Sequence, residues 1–175
     1  MSVAGIIAQV INCIGSIVNM IGINIKDKRK VLLFFIVGNA CVATSLGLVN
    51  ARAGMIVQIV FVVETIINYF WEKKRDKYPM WLVLLYVIIP VTVLVATYQS
   101  AWDILPIIAS ILFPLALLSK NFKLRLLNLL SIVLWIPYNF HFGQYAGAIN
   151  CAIITLMNIV AIIRLDVIKK ASTNA

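Results

Sequence analysis

Seven apolar runs, each about as long as a bilayer is thick, leave this chain very few ways to fold. A helix needs about 20 apolar residues to cross the hydrocarbon, and backbone groups in lipid must be satisfied within the segment, so such runs mean helices. The runs are Val3–Ile25, Val31–Val49, Ala53–Trp71, Pro79–Tyr98, Trp102–Leu118, Phe122–His141 and Tyr145–Leu165. The breaks between them are short, which makes successive helices antiparallel. The N-terminal run lacks a preceding Lys or Arg and is too long for the apolar region of a signal peptide, so it reads as the first span.

The breaks carry charge in alternation. Lys26, Lys28, Arg29 and Lys30 follow the first run, Lys73, Lys74, Arg75 and Lys77 the third, Lys120, Lys123 and Arg125 the fifth, and Arg164, Lys169 and Lys170 close the seventh. Of 15 Lys and Arg, Arg52 alone falls on the opposite side. The positive-inside rule therefore places the N-terminus outside and the C-terminus in the cytoplasm of a plasma (inner) membrane. Hydrophobic residues at 63% and charged ones at 12% agree, and the net charge of +9 reads as loops drawn to anionic lipid rather than as a nucleic-acid surface. Tyr69, Trp71, Tyr78, Trp81, Tyr98 and Trp102 sit at span ends, as an interfacial aromatic belt requires.

A shift of 93 residues lays Lys30 on Lys123, Leu33 on Leu126, Ala53-Gly54 on Ala146-Gly147, Ile56 on Ile149 and Ile66 on Ile159. The same shift superposes runs one to three on runs five to seven and leaves the fourth as a linker. The expected fold is all-α: a single membrane domain over 1–175, with a first three-helix unit at 1–72, a linker helix at 79–98, a second unit at 101–166 and a short cytoplasmic tail at 167–175. Two such units share one orientation and are related by an axis along the membrane normal, as in the SWEET transporters.

Ionisable groups deep in a membrane cost at least ~2.5 kcal/mol on insertion scales and are functional candidates by default. Glu64 is the one acidic residue well inside a run. Gln58, Phe61, Thr65 and Asn68 share its broad helical face, and Cys151, Thr155 and Asn158 form a comparable stripe on the seventh run. These stripes are expected either to face each other across a central cavity or to glue helices together. On the sixth run Trp135, Tyr138 and Asn139 share a face near His141, suiting an aromatic wall of an outer vestibule or an interfacial belt. Pro137 removes a backbone donor there and is expected to kink the helix. Gly143 and Gly147 form G-x-x-x-G, a close-packing pattern. Gln9, Asn12, Asn19, Asn39 and Ser45 add polarity to the first unit, without an orientation legible from sequence. Cys13, Cys41 and Cys151 have neither disulfide nor zinc spacing and read as packing residues.

The stretch from Leu129 to Asp166, LLSIVLWIPYNFHFGQYAGAINCAIITLMNIVAIIRLD, resembles the YgjV-like bacterial inner-membrane proteins. Their last two helices carry W-x-x-Y-N, then G, then N-x-x-x-x-x-R, met here by Trp135, Tyr138, Asn139, Gly147, Asn158 and Arg164. Gly38-Asn39, Gly54 and Asp103-x-Leu105-Pro106 extend the likeness over most of the chain. That family is distantly similar to the PQ-loop, SWEET and PnuC transporters, in which Asn on the third and seventh helices and aromatics on the second and sixth surround the substrate. Asn158 and Trp135 match that pattern, whereas their repeat mates are Thr65 and Val42. Pro106, Pro114 and Pro137 lie in the second unit, and the first has no counterpart.

No catalytic constellation appears: there is one His, no H-E-x-x-H or G-x-S-x-G, and no phosphate-cradling loop. The chain reads as no enzyme, with no cofactor or metal, no nucleic-acid partner, and the lipid bilayer as its environment. The leading expectation is a carrier for an unknown small polar solute by alternating access. Its candidate contacts are Glu64, Thr65, Asn68, Trp135, Tyr138, Asn139 and Asn158. The rival is a non-transporting structural or regulatory membrane protein that binds a partner. Self-association into a homo-oligomer is compatible with either.

Overall fold

The structure is a computed structural model that describes residues 2–23, 25, 28–74, 79–118 and 121–163. Arg164, Lys169, Lys170, several loop lysines and the tail at 167–175 lie outside the described residues. The seven runs become seven helices: α1 (Val3–Ile23), α2 (Lys28–Leu48), α3 (Arg52–Lys74), α4 (Met80–Thr97), α5 (Ile104–Leu118), α6 (Asn121–His141) and α7 (Tyr145–Ile162). Among the described residues no strand occurs. Val3–Gly22, Arg29–Leu48 and Arg52–Trp71 are long and apolar enough to cross a membrane, while the described apolar stretches of the other four helices are shorter. Outward positions stay apolar, as a lipid solvent demands: Ile17, Phe70, Leu84, Ile149 and Leu156 are all about half exposed or more.

The fifth helix starts two residues later than its apolar run suggests. A single 3₁₀ turn, Ala101–Asp103, precedes it. The buried Asp103 carboxylate accepts the Gln99 and Ser100 N–H groups at 3.0 and 2.9 Å, which holds the entering chain in a turn. Asp103→Ala is expected to leave two donors without their acceptor and lower stability by about 1–3 kcal/mol, readable as a drop in the detergent melting temperature.

Both tight α–α turns use one chemistry. Asn50 ends α2 with φ 58°, and Gly143 ends α6 with φ 69°, the left-handed conformation that Asn and Gly tolerate best. In the first turn Asn50 N–H donates to Gly47 O and Ala51 N–H to Leu46 O. In the second Gly143 N–H donates to Phe140 O and Gln144 N–H to Asn139 O, the same two bonds 93 residues on. This is the Schellman pattern, which satisfies the last carbonyls of each helix.

Each helix packs mainly on its chain neighbours: α1 on α2, α2 on α3, α5 on α6, α6 on α7. Contacts of α1 with α7 and of α3 with α5 close these six into a ring. Helix α4 touches α3 and α5 and stands outside the ring. The apolar core, with Leu46, Val57, Phe61, Ile107, Trp135 and Tyr138, fills the part of the ring nearer the two tight turns. Below, this is the turn end. The opposite end carries Arg29, whose guanidinium lies over the Tyr69 ring at 5.3 Å, together with Lys30 and Lys123, and is the basic end.

Candidate functional site

Six helices around one axis leave a space that side chains must fill or line. That space is a cavity of about 420 Å³, within the ~300–1,000 Å³ typical of small-molecule sites. Helix α1 contributes Asn12, Ser16 and Asn19, and α2 contributes Phe35, Asn39 and Val42. Gln58 and Phe61 come from α3, and Phe113 from α5. The wall formed by α6 carries Asn128, Ser131, Trp135 and Asn139, and that of α7 carries Asn150, Cys151 and Asn158. Helix α4 supplies none of the described lining.

The spacing explains the lining locally. Asn12, Ser16 and Asn19 recur at i, i+4 and i+7, one face of α1, and Asn128, Ser131, Trp135 and Asn139 at i, i+3, i+7 and i+11, one face of α6. Asn amides in lipid need partners. Asn12 Nδ2 donates to Ser45 Oγ at 3.0 Å, Asn19 Nδ2 to Asn39 Oδ1 at 3.1 Å, and Asn139 Nδ2 to Trp135 O at 2.8 Å. Asn158 Nδ2 donates to Ile154 O at 3.0 Å, and its Oδ1 accepts from Asn128 Nδ2 at 3.5 Å. Four of the lining residues, Asn19, Gln58, Asn139 and Asn150, have an amide oxygen that is fully buried and without a protein partner.

The two ends of the ring differ. At the turn end, side chains of one half satisfy backbone groups of the other. Tyr138 Oη, on α6, accepts Gly54 N–H in the first turn of α3 at 2.7 Å. Gln9 Oε1, on α1, accepts Ala146 N–H in the first turn of α7 at 2.7 Å, while its Nε2 donates to Gly143 O. Gln144 Nε2 donates to Ser45 O at 2.8 Å. Helix N-termini leave their first N–H groups unpaired, so each of these caps also ties the halves together. Toward the basic end the Asn19–Asn39 and Asn128–Asn158 pairs each stay within one half, and no described residue of α7 beyond Ala148 is buried.

Of the residues expected from sequence, Trp135, Asn139 and Asn158 line the cavity, as do Gln58, Phe61 and Cys151. Glu64, Thr65, Asn68 and Tyr138 are buried but are not part of the lining. The α3 stripe divides because α4 covers its lower part: Tyr86 Oη donates to Asn68 Oδ1 at 2.9 Å and lies 3.5 Å from Glu64 O. Thr65 Oγ1 turns back to Phe61 O at 2.6 Å. Tyr138 serves the α3 cap. His141 is exposed, stacked on Trp102 with ring centres 4.4 Å apart. The lining by Asn12, Ser16, Asn19, Asn39, Asn128 and Asn150 was not assigned from sequence, although the i, i+4, i+7 recurrence on α1 is a signal that points to one face.

One protein-family model, Imp-YgjV, described as a bacterial inner membrane protein, matches residues 6–169. Neither a curated protein nor a solved structure matches the chain.

Proposed function

The chain belongs to the Imp-YgjV family of bacterial inner membrane proteins, and from that premise we propose that it is a carrier for a small polar solute. The observation that carries this reading is a cavity bordered by six helices, apolar over most of its surface with amide side chains among it, beside a turn end tied across the two halves. A scaffold would gain nothing from an unfilled space of this size between its helices, which forfeits packing contacts. In a carrier that space receives the solute.

The halves are two three-helix units joined by α4. The 93-residue register, the twin Schellman turns and the paired closures α1–α7 and α3–α5 support this, since the shift exchanges one closure for the other. With the basic end in the cytoplasm, the N-terminus lies outside and the C-terminus inside. The turn end is then an outer gate, closed here by Tyr138, Gln9 and Gln144. Alternating access is a rocking of one unit against the other that breaks these bonds while the cavity opens outward.

Cys151 lines the cavity and makes the test direct. With Cys13→Ser and Cys41→Ala in the background, a membrane-impermeant maleimide is expected to label Cys151 in inside-out vesicles faster than in right-side-out vesicles. Adding Gln9→Ala and Gln144→Ala, which unfastens the turn end, is expected to raise labelling from the outer side. Protection of Cys151 from both sides, in parent and variant alike, would sink the carrier and favour a dry helical scaffold.

A further inference from the structure

The groups that line the cavity fall into layers, because each helix of the ring starts or stops at the turn end and rises about 1.5 Å per residue. Asn39 lies nine residues from the turn end of α2, Gln58 six from that of α3 and Asn150 five from that of α7. Phe61 and Phe113 lie nine residues in on α3 and α5, and Trp135 six on α6. These side chains, drawn from five helices, therefore share a slab ~6 Å deep. Phe61 and Phe113 meet across the two halves with ring centres 5.2 Å apart.

Within that slab the open amide atoms are donors. The side-chain nitrogens of Asn39, Gln58 and Asn150 bond to no described residue and are not buried. Their oxygens are taken or covered: that of Asn39 accepts from Asn19 Nδ2 at 3.1 Å, and those of Gln58 and Asn150 are fully buried. Asn12, at the same depth on α1, is engaged through both atoms, donating to Ser45 Oγ and accepting from Ser16 Oγ. Asn128 Oδ1, an amide oxygen of the lining that does stay open, lies thirteen residues from the turn end of α6 and so outside the slab. No described residue on the lining is an Asp, Glu, Lys, Arg or His.

We propose that the slab binds an uncharged ring compound through carbonyl or ring-nitrogen acceptors on its edge. This deepens the carrier reading and rests on it. The rings of Trp135, Phe61 and Phe113 cover the faces of such a solute, and the three amide NH2 groups donate to its edge. A polyol would bring hydroxyl hydrogens that find no open amide oxygen at this depth. A carboxylate or an ammonium group would leave water with no counter-charge among the described lining, a cost that neutral amides offset poorly.

The test starts from N,N-dimethylbenzamide, a neutral ring with an acceptor and no donor. Benzoate and benzylamine keep the ring and add charge, N,N-dimethylacetamide keeps the carbonyl and drops the ring, and glucitol is a neutral polyol. Each is titrated against the detergent-purified chain with two readouts, the melting temperature and the rate of Cys151 labelling in the Cys13→Ser, Cys41→Ala background. N,N-dimethylbenzamide is expected to raise the melting temperature and, at ten times its dissociation constant, to slow labelling about tenfold, while the other four do neither at the same concentration. Gln58→Leu and Asn150→Leu break no hydrogen bond to a described residue, so each is expected to melt with the parent while binding the probe about three- to tenfold more weakly. Equal or tighter binding by benzoate or benzylamine would overturn the neutral class, and by dimethylacetamide or glucitol the ring. Unchanged affinity in both Leu variants would overturn the donors. No response to any of the five, with Cys151 still reactive, would overturn the solute class and leave the carrier standing. Cys151 inert throughout would instead bring down the carrier reading itself.

Discussion

Replacing Tyr138 by alanine is expected to destabilise the protein by about 3–5 kcal/mol, the cost of deleting a fully buried aromatic ring. Tyr138 has no exposed surface and packs at the turn end with its ring against Trp135 and Phe142. Its hydroxyl also accepts Gly54 N–H, one of the donors that α3 leaves unpaired at its start. Tyr138→Phe separates the two contributions: it keeps the ring and loses only the acceptor, for an expected ~1–3 kcal/mol. Denaturant or thermal melts in one detergent would rank parent, Phe and Ala in that order. If Ala and Phe melted together, the ring would contribute nothing and the packing described for the turn end would be wrong. Under the carrier reading Tyr138→Phe also loosens the outer gate, so outer-side labelling of Cys151 should rise at a temperature where the protein is still folded.

The second large effect is expected at the crossing of α1 and α2. A Cβ on Gly15 would stand 2.7 Å from Gly38 O and 2.8 Å from Cys41 Cβ. The first of these is backbone and cannot turn aside, so the two helices would have to separate. Small residues are what allow helices to approach this closely in a membrane. Gly15→Val is expected to cost about 3 kcal/mol, the upper part of the overpacking range, and Gly15→Ala less with the same sign. Because Asn12, Ser16 and Asn19 lie on either side of Gly15 on the lining, the displaced α1 should also, under the carrier reading, weaken solute binding in the protein that remains folded. A Gly15→Val variant that melts with the parent would show that α1 and α2 do not cross in backbone contact.

Much of the chain was readable one helix at a time. The expected third span, Ala53–Trp71, falls inside α3 at Arg52–Lys74, and the expected sixth, Phe122–His141, differs from α6 by one residue. The likeness carried by Trp135, Tyr138, Asn139, Gly147 and Asn158 is met by a family match over residues 6–169. Asn50 and Gly143, 93 residues apart, both adopt positive φ, whereas the sequence pattern marked only Gly143, and that as a packing residue. The fifth helix was misplaced at its start because apolar character says nothing about a buried carboxylate, Asp103, that holds the preceding chain in a turn.

The site was only half readable, and the reason is physical. Helix formation in lipid is decided by apolar length and by local turn chemistry, both written along the chain, so the sequence by itself determined seven helices and most of their ends. Which way each helix turns about its axis is another matter. In water a polar face marks the outside, but a helix among lipids is apolar outward, and a polar residue inside can face a cavity or a neighbouring helix with equal ease. Glu64 and Asn68 look like cavity residues until α4 is placed against them with Tyr86 at Asn68. Asn12, Asn19 and Asn39 look like stray polarity until the closures α1–α7 and α3–α5 turn them toward a common space. Only the packing of the ring, fixed by contacts between residues far apart in the chain, decided which polar side chains border the cavity and which are held against a neighbouring helix.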